Sequence, residues 1–307
     1  MAHSTNPPRN WEARAKLVLS KYGLFDSYCL LHDCFTLSKL ACWCPSLGEL
    51  VKVRHILAAT DLTAAGEHAV AWSRQLAAKA GARFTPLLVH FAVPLDDWAA
   101  GRNGRAQDIP KGMVVVDGVP AIEIVRYAEA QAVDILVLAR SERMLDPGVA
   151  VGTSADAVIR RADLPVLVLP RNQDRITRVI AALDGSERGL AVLRLALELK
   201  PFLGLNPVAL FVEPADQSEA GAVVPSSGRH EFLKNAMQSL NRDPEAIPLV
   251  HRTGNVIDEV LRGVSAEAGD LVMVGVRRGG PANPLESTGN GRRILAAARC
   301  AVLTVPL

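Results

Sequence analysis

Two aspartates close short apolar runs: Asp61 follows His-Ile-Leu-Ala-Ala-Thr, and Asp184 follows Arg-Val-Ile-Ala-Ala-Leu. A carboxylate at the end of a buried strand can orient a ligand, or it can cap the helix that comes next. Both readings stay open for both aspartates. A second group gathers Gly275, Gly279, Gly289 and Asn290, set among Arg277, Arg278, Arg292 and Arg293. Glycines let main-chain N–H groups approach an anion, and a helix start adds unpaired N–H groups, so this chemistry is anion binding. The arginines serve either that anion or a solvated helix face. Earlier in the chain a poorer version reads Ala139, then Gly152-Thr153. No reacting pair accompanies either group. There is no G-x-S-x-G elbow, no H-E-x-x-H, no G-x4-G-K-[ST], and each aspartate stands without the second acid of a phospho-receiver. A binding protein is expected rather than an enzyme, with no catalytic residue assigned.

The elements that must carry these residues alternate short strand-like runs with longer helical ones, the mark of parallel βαβ units. Strands are predicted at His55–Thr60, Thr85–Phe91, Met113–Val116, Ile135–Ala139 and Val166–Leu169, then at Val179–Leu183, Val208–Val212, Pro248–Arg252, Leu271–Gly275 and Val302–Val305. Their nearly unbroken apolar character predicts cover on both faces. Thr63 is placed to cap a helix that ends at Gly81, and Pro120 opens another that ends before Asp134. A further helix is predicted over His230–Asn241, whereas its counterpart Leu95–Gly112 has room for little more than two turns.

The chain repeats itself. Gly118, Glu123, Arg126, Asp134 and Pro170 recur as Gly254, Glu259, Arg262, Asp270 and Pro306, all 136 residues later. Near the start of each copy the offset is smaller, as Asp61 matches Asp184. About 16 residues, or roughly four helical turns, therefore differ between the second and third strands. The reading is two tandem, doubly wound, Rossmann-like α/β domains with five-stranded parallel sheets, over residues 51–170 (shortened between strands 2 and 3) and 171–307. Val166–Leu169 and Val302–Val305 are apolar strands close to the ends of their copies, and they are expected to pair across an internal pseudo-two-fold.

Residues 1–50 have no counterpart in the repeat. Their Cys29-x4-Cys34-x7-Cys42-x-Cys44 spacing, with His32 nearby, can be drawn as a zinc site, but the paired C-x2-C knuckles are missing, so no metal is assigned. An extension dispensable for folding is expected, or an over-long start. The rest of the chain holds one thiol, Cys300, which fits a reducing, cytoplasmic setting. Apolar residues make up 49% of the sequence, charged residues 21% and aromatics 5%, a globular balance. With 34 Lys+Arg against 32 Asp+Glu the formal charge is +2, too small to draw in nucleic acid or a membrane surface. His32, Asp33 and Lys39 break the most apolar stretch, so no membrane span is expected.

Taken in order, each copy runs strand-Asp, a Gly118-Val119-Pro120 or Gly254-Asn255 turn, a helix, Asp-[IL]-[LV]-[VM]-[LV]-[AG], a loop, and a last helix into PVLVLP or AVLTVP. Over residues 51–307 this resembles a tandem universal stress protein. The resemblance implies a stress-response role, binding of an adenine nucleotide such as ATP, with magnesium as an optional companion, and an intramolecular pseudo-dimer or a homodimer with a protein partner the sequence does not reveal. It allows at most slow, incidental ATP hydrolysis. Nucleotide-binding members carry G-x2-G-x9-G-[ST] after strand four. The first copy matches as Ala139-x2-Glu142-x9-Gly152-Thr153, where Glu142 would repel phosphate by about 4 kcal/mol at 4 Å and an effective dielectric of 20. The second copy reads Gly275-x2-Arg278-x9-Thr288-Gly289, or Gly275-x3-Gly279-x9-Gly289-Asn290. By the same resemblance the main chain at the end of strand two reads the adenine, at Val212 and, in the first copy, Phe91. The expected site is therefore Asp184, Val212, Gly275, Arg278, Gly279, Thr288, Gly289 and Asn290. A weaker one comprises Asp61, Phe91, Ala139, Gly152 and Thr153. The alternative is a nucleotide-independent interaction protein of the same fold.

Overall fold

Continuous apolar runs become strands here because both faces of the sheet are covered. The computed structural model describes residues 53–90, 109–140, 153–214, 226–240, 247–264, 269–277 and 289–307. The first half holds β1 (His55–Thr60), α1 (Ala64–Ala80), β2 (Arg83–His90), β3 (Val114–Asp117), α2 (Pro120–Ala130), β4 (Ile135–Ala139), α3 (Thr153–Arg161) and β5 (Val166–Leu169). The second holds β6 (Arg178–Leu183), α4 (Leu190–Leu203), β7 (Pro207–Glu213), α5 (Ser226–Leu240), β8 (Leu249–Thr253), α6 (Val256–Arg262), β9 (Asp270–Val276), α7 (Asn290–Ala297) and β10 (Ala301–Pro306). Each of the predicted strands is present, with ends shifted by a residue or two. The helix predicted from His230 begins earlier, at Ser226. The segment expected to hold the shortened crossover, and the cysteine-rich stretch with His32, lie outside the described residues.

The strand order is β3-β2-β1-β4-β5-β10-β9-β6-β7-β8. Each half is a doubly wound, parallel, five-stranded unit, and the two are fused into one ten-stranded sheet rather than stacked as separate sheets. The fusion is the antiparallel pair β5–β10, with Val166 opposite Thr304, Leu167 opposite Leu303 and Val168 opposite Val302. The apolar edges predicted to pair do so, which leaves neither unsatisfied. One core layer, holding Trp72, Leu193, Phe211 and Leu233, covers one face; the other, holding Ile124, Val158, Ile294 and Leu295, covers the opposite face. Both layers draw on both halves, within one compact unit spanning Leu50–Leu307. Among the described residues no helix is long and apolar enough to cross a membrane.

The recurring residues have structural duties. Gly118 and Gly254 sit at φ 142° and 149°, a backbone that favours glycine, and Glu123 and Glu259 fold back over them. Those glutamates pair with Arg126 and Arg262 one helical turn on. Asp134 accepts from the backbone N–H groups of Arg54 and His55 at 2.7 and 2.9 Å, whereas Asp270 binds the Arg178 guanidinium at 2.8 and 2.6 Å. In each half an aspartate thus fastens the start of the fourth strand to the start of the first.

Candidate functional site

A doubly wound sheet opens at the point where its strand order reverses, here between β1 and β4 and between β6 and β9. The two openings differ. In the first half β1 and β4 pair as far as Ala59–Leu138, and only Thr60 and Ala139 continue, each beside its outer neighbour. In the second half β6 and β9 stop pairing at Ala181–Met273. Ala182 and Leu183 continue along β7, while Val274, Gly275 and Val276 continue along β10. The strands therefore part earlier in the second half, and the crevice at their carboxyl ends is deeper.

Asp184 and Asp61 stand at the mouths of these crevices in one geometry. Asp184 Oδ1 accepts from the Ser186 N–H at 3.0 Å and from its hydroxyl at 2.6 Å, and the hydroxyl oxygen then accepts from the Gly189 N–H at 3.0 Å. Asp61 Oδ1 accepts from the Thr63 N–H and hydroxyl at the same two distances, and Thr63 Oγ1 accepts from the Gly66 N–H at 3.2 Å. A Cβ on Gly189 would overlap Asp184 Oδ1, and one on Gly66 would overlap Thr60 Oγ1. The working pattern is Asp-x-[Ser/Thr]-x2-Gly, present in both copies and missed when the aspartates were read singly. It settles the helix-capping role for Oδ1. Asp61 and Asp184 are both exposed, and Oδ2 of each has no hydrogen-bond partner among the described residues. The second turn is also the less strained, with Gly185 at φ 74° where the first has Leu62 at φ 60°.

Beside Asp184 lie the carboxyl ends of β7 and β9 and the start of α7. Val212 buries its side chain, and its main chain runs past Phe211, the last residue of β7 paired with β6. Gly275 pairs with Val305, and a Cβ there would strike the Leu307 side chain. Helix α7 opens at Asn290 with Gly289 as N-cap, and both residues are exposed. Gly291, absent from the predicted site, is the glycine this junction requires: a Cβ on it would overlap the Gly275 carbonyl oxygen, so α7 packs directly on the end of β9. At Gly289 a Cβ would meet nothing within 4 Å. The second half thus brings Asp184, Val212, Gly275, Gly289 and Asn290 to one edge of the sheet. Arg278, Gly279 and Thr288 lie outside the described residues.

In the first half Asp61 and Ala139 lie at the corresponding edge and α3 opens at Thr153. Phe91, Glu142 and Gly152 lie outside the described residues. The Gly118 N–H donates to the His90 carbonyl and the Gly254 N–H to the Glu213 carbonyl, each at 3.0 Å, so His90 is equivalent to Glu213. Val89, one residue before, is accordingly the counterpart of Val212, which corrects the equivalence expected for Phe91. His90 Nδ1 lies 3.1 Å from Asp117 Oδ1 across β2 and β3, a surface pair.

Charge at the α7 start is less plentiful than the arginine quartet suggested. Arg292 reaches across to Asp156 on α3, which Arg160 also binds, while Arg293 is exposed. Arg140, next to Ala139, donates to the Leu295 carbonyl at 3.1 Å, and burial lowers its pKa. Cys300 is buried, its thiol pushed up to about 11 mainly by desolvation, so it is no nucleophile at neutral pH. Among the described residues no three His, Cys, Asp or Glu side chains gather to hold a metal.

Residues 95–170 match the universal stress protein family. No curated protein matches the sequence. A universal stress protein from Archaeoglobus fulgidus DSM 4304 shares the fold at TM-score 0.59 and 13% identity, covering 83% of this chain and 99% of its own. A candidate universal stress protein from Pseudomonas aeruginosa UCBPP-PA14 does so at 0.58 and 14%, covering 84% and 94%. A functionally unknown protein from Pseudomonas aeruginosa PAO1 follows at 0.57 and 14%, with the same coverages of 84% and 94%. The family match falls on the first half, and the fold likeness extends through both. Together they make the chain a member of the universal stress protein family.

Proposed function

We propose that this universal stress protein binds an adenine nucleotide, ATP with Mg²⁺ as an optional companion, in the β6/β9 crevice, and that occupancy changes the surface it shows to a protein partner in the cytoplasm. The observation that carries the reading is the earlier parting of β6 and β9, which opens main chain at the mouth of the second half. Asp184 has an uncommitted oxygen for a ribose hydroxyl or an amine. Val212 offers main chain beyond its last β6 partner, and Gly289 and Asn290 present the N–H groups of the α7 start to phosphate. Arg278, Gly279 and Thr288 would complete the cradle, and Gly275 gives α7 its seat on β9. The first half, with Asp61, Ala139, Gly152 and Thr153, is the weaker site. The role is binding, with ATP turnover at most slow and incidental. Denaturing purified protein and identifying released nucleotide tests this. Adenine nucleotide, or ATP bound on titration, supports it; neither released nor titrated nucleotide refutes it.

A second reading, an interaction protein that works without nucleotide, draws on packing. Leu307 accounts for Gly275, the Ser186 turn accounts for one oxygen of Asp184, and Arg292 is engaged by Asp156. A partner bound equally well with and without ATP would favour it.

A further inference from the structure

Within β5–β10 the register is symmetric about one pair. Leu167 faces Leu303, its own counterpart 136 residues later, while Val166 faces Thr304 and Val168 faces Val302. The pseudo-two-fold axis therefore passes through Leu167 and Leu303. On the helical layer of one face a second pair of counterparts meets on that axis: Asp156 of α3 and Arg292 of α7, also 136 residues apart. A residue on a two-fold axis meets its own equivalent. Had both halves kept the same side chain here, two like charges would face each other. Instead one half carries a carboxylate and the other a guanidinium. Their side chains are only 11% and 15% exposed, and Arg160 occupies the other carboxylate oxygen. Nearby contacts are one-sided as well. Arg140 donates to the Leu295 carbonyl, and its counterpart is Val276, which has no side-chain donor. Thr304 Oγ1 donates to the Val166 carbonyl at 3.1 Å, and the residue equivalent to Thr304 is Val168.

We propose that Asp156 and Arg292 form a charge lock on the pseudo-two-fold axis that selects the pairing of unlike halves and opposes pairing of either half with its own kind in a second copy of the chain. First half against first half would set Asp156 against Asp156, and second against second would set Arg292 against Arg292. Both leave partly buried like charges in contact, which is costly where water screens poorly. Duplication within one chain allows this difference, since each half always has the other beside it.

The full chain tests it without being cut. Arg292→Asp recreates inside one molecule the acidic contact of two first halves, and Asp156→Arg the basic contact of two second halves. The double variant D156R/R292D restores opposite charges in reversed order. Thermal midpoints of the four proteins are compared at neutral pH and low salt. Each single reversal should lower the midpoint by roughly 5–15 °C, and the double variant should recover at least half of the larger loss. Single reversals within about 2 °C of the parent, or a double variant that recovers less than half, would overturn the proposal. If either single variant fails to fold, the double variant decides: its folding supports the lock, and its failure overturns it.

Discussion

At the residue scale, Asp270 has no exposed surface while its partner Arg178 is half exposed. The consequence is an asymmetry between two substitutions. Arg178→Ala leaves the buried carboxylate without its guanidinium and should cost about 3 kcal/mol. Asp270→Asn keeps the shape and leaves the arginine able to turn to water, so about 1–2 kcal/mol is expected. Urea titration of both proteins checks the order. His55, at the matching corner of the first half, is buried between the Gln131 carbonyl and the Thr85 hydroxyl. A carbonyl only accepts, so Nδ1 donates and Nε2 accepts, the neutral ring. Desolvation lowers its pKa from 6.5. Below about pH 6.5 the unfolded chain then takes up a proton that the folded chain resists, so stability contributed by His55 is present above that pH and lost as pH falls toward the lower folded value. The fall in thermal midpoint between pH 7 and pH 5 should be shallower in His55→Gln than in the parent. Of such residues the sequence shows identity and recurrence but not the partner. Asp134 and Asp270 were visible as a repeated letter, yet one binds backbone and the other a guanidinium, because His55 in one half stands where Arg178 stands in the other.

At the element scale, strands were legible because they are buried on both faces and read as unbroken apolar runs, and helix α1 because Thr63 and Gly81 mark its ends. Thr63 accepts from the Gly66 N–H, and Gly81 takes φ 62° and returns its N–H to Ala77 and Ala78. Helix α5 was placed too late because Ser226–Arg229 carries little apolar periodicity. The α7 junction was legible only in part. A family pattern directs attention to Gly289, but the close approach is made by Gly291, a condition set by the distance between α7 and the end of β9. Gly291→Ala should therefore cost about 1–3 kcal/mol as α7 shifts off Gly275, whereas Gly289→Ala, at φ −62° with open space around it, should stay within about 0.5 kcal/mol. Equilibrium unfolding of the two variants separates the readings, and equal losses would remove the packing argument.

At the scale of the whole molecule, repeat length and apolar edges foretold two doubly wound halves meeting through β5 and β10. Fusion of both core layers across that seam was not legible, since it depends on which helices flank the axis. Shared layers imply shared unfolding: calorimetry should show one cooperative transition, and Leu303→Ala, deleting a side chain buried on the axis, should lower stability by about 2–5 kcal/mol without splitting it. Two resolved transitions would show halves that stand independently. The claim that gives the fold its function is that nucleotide enters the second half, and Asp61 and Asp184 offer a matched test because they hold the same turn at the same distances. Replacing either by alanine removes the same local bonds, so any difference in ligand binding reports the site and not the turn. The measurement is calorimetric titration of ATP into the intact chain, Asp61→Ala and Asp184→Ala. The account predicts one ATP per chain, affinity within about threefold of the parent for Asp61→Ala, and a loss of about tenfold or more for Asp184→Ala. Parent-like binding by Asp184→Ala with binding lost in Asp61→Ala, or no ATP bound by the parent, would contradict it.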